Sequence, residues 1–100
     1  MNKFSIDLVG DHALQINFIK PYPEDIVAQI NSALESIEAK MESRHHNTYV
    51  DEYYWWYSCK DGRFTFTDHW GDYNIYAQGN NVLIKVIAKA LVESGKFEQK

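Results

Sequence analysis

Two turn signals, Asp61-Gly62 and Gly71-Asp72, lie inside the most aromatic stretch of the chain and constrain its fold more than any other feature. Glycine beside aspartate suits the tight corner of a two-residue hairpin. Folding about Asp61-Gly62 sets Lys60 against Arg63, Cys59 against Phe64, Tyr57 against Phe66 and Trp55 against Asp68. Folding about Gly71-Asp72 sets His69 against Asn74, Thr67 against Tyr76 and Phe66 against Ala77. Side chains alternate across a strand, so the two hairpins are compatible only if each residue keeps one face in both. They are compatible. One face collects Trp55, Tyr57, Cys59, Phe64, Phe66, Ile75 and Ala77, which is a core face. The other collects Tyr54, Trp56, Ser58, Thr65, Thr67, His69, Asn74 and Tyr76, three large rings among hydroxyls and amides. That face is half wet.

The rest of the chain supplies the cover. "KFSIDLV" and "ALQINFI" alternate apolar and polar residues on either side of Gly10-Asp11, so residues 3–19 read as a hairpin with one wet face. Ile26, Ile30, Ala33, Leu34, Ile37 and Met41 then recur at helical spacing, placing a helix at about 23–44 with Pro23 in its first turn. Glu24 and Asp25 sit where the helix dipole favours negative charge. A second helix at about 81–94 carries Leu83, Val86, Ile87, Ala90 and Leu91 as its stripe, with Asn80 or Asn81 as cap and Gly95 at its end. The expected order is β-β-α-β-β-β-α. This is an α+β fold of one domain over residues 1–100: an antiparallel sheet of about five strands with both helices packed on one face.

The chain has 100 residues, among them three Trp, seven Tyr and five Phe, and its net charge is −4. An acidic chain lacks the basic footprint of a nucleic-acid binder. The single cysteine, Cys59, excludes an intrachain disulfide framework. Neither a signal-peptide pattern nor a membrane-length apolar run is present, so the expectation is a cytoplasmic protein without membrane contact.

Catalytic signals are thin. His45-His46 are adjacent and diverge, whereas a helical metal pair needs a one-turn spacing. Cys59 falls on the core face, where a thiolate is disfavoured. Asp51 and Glu52 point to opposite faces of a strand and cannot flank one bond, and no glycine-rich phosphate loop occurs. The chain reads as a non-enzyme with no cofactor and no metal.

The half-wet face is the strongest functional signal. Tyr54, Trp56 and Tyr76 could simply pack on each other as cross-strand neighbours. Yet a ring cluster rimmed by polar groups is also how protein-binding surfaces are built. Charge placement favours binding: residues 49–76 hold five acids against two bases, while residues 77–100 hold four lysines against two glutamates. A basic protein partner would be steered to the aromatic side. The candidate partner-binding residues are Glu52, Tyr54, Trp56, Thr67, His69, Trp70, Asp72 and Tyr76.

The run "NNVLIKVIAKALVESGKFE", following an aromatic and acidic strand pair, resembles small bacterial immunity proteins of polymorphic toxin systems, contact-dependent growth inhibition among them. The resemblance covers roughly the second half of the chain and carries over no individual residue role. It implies a cytoplasmic protein without catalysis that forms a heterodimer with a cognate toxin domain and blocks it. Such domains are often nucleases with basic grooves, for which carboxylates mimic phosphates and rings fill base pockets. Two other readings stand beside it. Residues 23–95 read as α-β-β-β-α, the order of a double-stranded-RNA-binding domain, although "NNVLIK" offers one lysine where several are wanted. A regulatory subunit with a protein partner outside toxin biology is the other.

Overall fold

Alternating residues make β1 (Asn2–Val9) and β2 (Ala13–Ile19) an antiparallel hairpin, with Phe4 opposite Phe18 and Ile6 opposite Ile16. The computed structural model describes residues 1–100 and continues with α1 (Ile26–Glu35), β3 (Lys40–Asn47), β4 (Glu52–Cys59) and β5 (Gly62–His69). β6 (Asp72–Tyr76), α2 (Asn81–Glu93) and β7 (Phe97–Gln99) complete the chain. All seven strands join one sheet in the order β3-β4-β5-β6-β2-β1-β7, antiparallel throughout except where β7 runs parallel to β1. The fold is α+β, as expected, with two more strands than the sequence reading gave.

One face of the sheet is buried by the helices. Ile26, Ile30 and Leu34 of α1 and Leu83, Ile84, Ile87 and Leu91 of α2 join Phe4, Ile16, Phe18, Phe64, Phe66 and Ile75 in a single core cluster. Burying a side chain of this size contributes about 1.5–3 kcal/mol, so this layer dominates stability. Asn80 fixes where α2 starts. Its side-chain oxygen accepts from the Leu83 amide at 3.1 Å, and its Nδ2 donates to the Asp61 carbonyl at 3.0 Å. The cap thereby ties α2 to the β4–β5 turn, and Gly62 makes room for it: a Cβ there would stand 2.7 Å from Asn80 Nδ2.

Five expectations need correction. The first helix ends at Glu35, nine residues short of its expected end at 44, because Glu38 turns left-handed at φ 55° and "KMESRHHN" becomes β3. Met41, assigned to the helix stripe, is instead exposed on an edge strand. Four strands rather than three therefore separate the helices, so the α-β-β-β-α order of a double-stranded-RNA-binding domain is not met. Both aromatic hairpins turn earlier than expected. Cys59 faces Gly62 and His69 faces Asp72, with Trp70 (φ 57°) and Gly71 (φ 85°) forming the second corner. Each register moves by two residues, an even step, so every side chain keeps its assigned face. Finally, β7 follows Gly95 and buries Phe97 against the core beside Phe18, at 5.6 Å between ring centroids.

Candidate functional site

The sheet face opposite the helices carries side chains in cross-strand rows. In one row Tyr54 lies opposite Thr67, Thr67 opposite Asn74 and Asn74 opposite Asn17. In the next, Trp56 lies opposite Thr65, Thr65 opposite Tyr76 and Tyr76 opposite Gln15. Large rings on β4 and β6 thus flank small residues on β5. Thr65 and Thr67 are 5% and 0% exposed although no helix covers them, because the flanking rings shield them. Tyr54 stacks on Trp56 at 5.8 Å and 13°, and meets His69 edge-on at 5.5 Å. Trp56 remains 37% exposed. The rings therefore do two things: their inner edges roof the threonines and their outer surface faces solvent.

Carboxylates surround this cluster, each held by a sheet side chain. The Tyr54 phenol donates to Glu52 Oε2, and His69 Nδ1 stands 3.4 Å from Glu52 Oε1. The Tyr54 hydrogen bond, helped by His69, holds the Glu52 carboxyl below the usual carboxylate range. The same bond pushes the Tyr54 phenol up. On β1, Asp7 accepts from Ser5 Oγ and from Asn17 Nδ2, both at 2.7 Å, which lowers its pKa. On β3, Glu42 accepts from Ser58 Oγ. None of these three carboxylates is ion-paired to a lysine or arginine. Between Trp56 and Tyr76 runs a groove of about 410 Å³, floored by Thr65, with Glu42 and Ser43 along one side and Arg63 and Gln78 at its end.

Of the residues singled out from sequence, Glu52, Tyr54, Trp56, His69 and Tyr76 come together on this face. Thr67 lies beneath them, wholly buried, and no partner reaches it without displacing a ring. Trp70 projects from the β5–β6 corner, 70% exposed. Asp72 stands at the same end, ion-paired with Lys20 at 3.0 Å. Asp7, Gln15, Asn17, Glu42, Ser43 and His45 were missed. The wet side of the first hairpin is visible in its alternation, but nothing in the sequence sets β2 beside β6. The β3 residues were hidden by the helical reading of their segment.

Trp55 needs a correction of its own. It lies on the helix side but is only half-buried, stacked on Phe66 at 4.9 Å and on Tyr53 at 5.7 Å. His46 extends this ladder, 3.9 Å from Tyr53 and parallel to it. Met41, Arg44 and His46 are exposed on this side of β3, so the β3–β4 edge of the sheet extends past the helix layer. No helix is long and apolar enough to cross a membrane.

A scan against protein-family models, a search of curated proteins and a search of solved structures found no match to this chain.

Proposed function

We propose that this chain is an immunity protein, a cytoplasmic inhibitor that pairs with a cognate basic toxin domain, a nuclease in the reading that fits best. The open face at Tyr54, Trp56 and Tyr76 is the contact surface, with Asp7, Glu42 and Glu52 as its acidic rim. One observation carries the reading: on an uncovered sheet face an exposed Trp56 stacks on a half-buried Tyr54 among carboxylates that are ion-paired to no lysine or arginine. Tryptophan and tyrosine are the preferred anchors of protein interfaces, and unneutralised rim carboxylates speed encounter with a basic partner.

The test is protection in cells. A candidate toxin domain, sought among the genes that neighbour this one, is expressed with the native chain or with Trp56→Ala, and growth is scored. Native protein should restore growth; Trp56→Ala should fail while circular dichroism shows it still folded at the growth temperature. Full protection by Trp56→Ala and by a Glu42→Lys/Glu52→Lys double variant would remove the open face from the interface. Absence of any protection by the native chain would remove the immunity reading itself.

A further inference from the structure

Trp56 and Tyr76 both lie opposite Thr65, on the two strands that flank β5. Strands are spaced about 4.8 Å apart, so the two ring-bearing backbones stand about 10 Å apart with only a threonine between them. A cation is attracted to a ring face within about 6 Å of its centroid, and the groove of about 410 Å³ lined by both Trp56 and Tyr76 is roomy enough to admit a guanidinium. The β3 register shifts between Met41 and Ser43, and the residue at that irregularity is Glu42. A bulge re-aims a side chain; here Glu42 lines the groove beside Trp56 and is steadied through Oε1 by Ser58. It has no cationic partner.

We propose that the Trp56–Tyr76 groove receives one arginine side chain of the protein partner, its guanidinium against the two rings and paired with the Glu42 carboxylate. The proposal rests on the partner-binding reading of this face and names the chemistry of that contact. Arginine fits better than lysine because its group is planar, weakly hydrated and able to stack while it bonds a carboxylate; an ammonium is a strongly hydrated point charge. Glu42 is the only carboxylate lining the groove and Arg63 already places one positive charge at its end, so the site suits a lone arginine and not a basic run. A stacked nucleotide would also suit the rings and Arg63, but its phosphate would confront Glu42.

The free groove can be probed without any toxin. The Trp56 indole N–H resonance, assigned with Trp56→Phe, is followed by NMR during titration with N-acetyl-arginine amide, its lysine and neutral citrulline counterparts, and adenosine monophosphate. Saturable shifts with the arginine compound are expected, several-fold weaker binding with lysine and at least tenfold weaker with citrulline. Glu42→Gln, a change at an exposed strand residue, should weaken arginine binding about tenfold, the scale of a charge-assisted hydrogen bond. Citrulline binding as well as arginine, arginine affinity unchanged by Glu42→Gln, no shift by tens of millimolar, or tighter binding of the nucleotide would each overturn the assignment. The two readings separate cleanly. If Trp56→Ala loses protection in cells while arginine leaves the groove untouched, the partner-binding face stands and the arginine pocket falls. If arginine binds yet Trp56→Ala still protects, the pocket is real and the face is not the toxin interface.

Discussion

Thr67 is wholly buried on the side of the sheet that no helix covers, and its Oγ1 has no hydrogen-bond partner. A buried hydroxyl without a partner costs roughly 1–3 kcal/mol, whereas removing it with shape preserved is neutral or favourable. Thr67→Val should therefore leave stability unchanged or raise it by about 1 kcal/mol, read from urea midpoints. A loss above about 1 kcal/mol would mean that the hydroxyl is satisfied, by a bound water for example. Binding should be untouched, since Thr67 lies under the rings. The neighbouring tryptophans separate differently from what alternation alone implies. Trp55 is half-buried over Phe66, so Trp55→Ala should cost less than the roughly 3–5 kcal/mol of a fully buried aromatic. Phe66, with no exposed surface, is where the full cost belongs. Equal losses for Trp55→Ala and Phe66→Ala would show that the ledge over Phe66 is as structural as the core. Which face each ring takes was legible in the sequence because it depends only on a period of two. How deeply Trp55 is covered was not, because that depends on where the helices end.

The β4–β5 corner and α2 are joined through Asn80 and Gly62, and this joint can be tested as a unit. Gly62 has φ 134° and would place a Cβ 2.7 Å from Asn80 Nδ2, while Gly10 has φ 68° and nothing within 4 Å. Gly10→Ala meets only backbone strain, about 1 kcal/mol; Gly62→Ala adds displacement of the cap and should cost about 2 kcal/mol or more. Comparable losses at both glycines would sink the joint. The elements misread from sequence share one physical cause. An internal strand announces itself by burying alternate residues; β3 buries none, so "KMESRHHN" carries no alternation to detect. Ile37 and Met41 happened to extend the helical spacing of α1, and Glu and Lys are good helix formers, so both cues favoured the longer helix. β7 is three residues long, below the reach of any periodic signal. By contrast the bounds of α2, with its asparagine cap and Gly95, were legible to within a residue, although its buried stripe takes in Ile84 and Ala88 and leaves Val86 half-buried. Three residues of the site were hidden with β3: Glu42, Ser43 and His45 enter the face only once that segment is a strand.

Across the whole molecule, three tyrosines tie the layers together and set how the fold responds to alkali. The Tyr57 phenol donates to Asn31 Oδ1 on α1 while its ring stacks on Phe64 at 5.1 Å. Tyr22, leading into α1, packs edge-on against Tyr73 of β6 at 5.1 Å and donates to the Phe18 carbonyl at 2.9 Å. Burial pushes all three phenols above the ordinary tyrosine value of 10.0. A pKa raised by folding means that the native state holds its proton more tightly than the unfolded chain does. Stability from these groups is therefore fully present below pH 10 and is lost as pH climbs from there through the raised values. Unfolding free energy should stay flat on the alkaline side of neutrality up to about pH 10 and then fall, with these phenolates appearing only as structure is lost. Tyr57→Phe isolates the most central of the three. It keeps the stack on Phe64, gives up the bond to Asn31 at a cost of about 1 kcal/mol near neutrality, and removes one phenol from the titration. Its alkaline decline should be shallower than that of the native chain, the two curves converging as pH rises. Parallel curves would show that Tyr57 ionises alike in folded and unfolded chains. The contact between α1 and β4 would then be too open to count as part of the core.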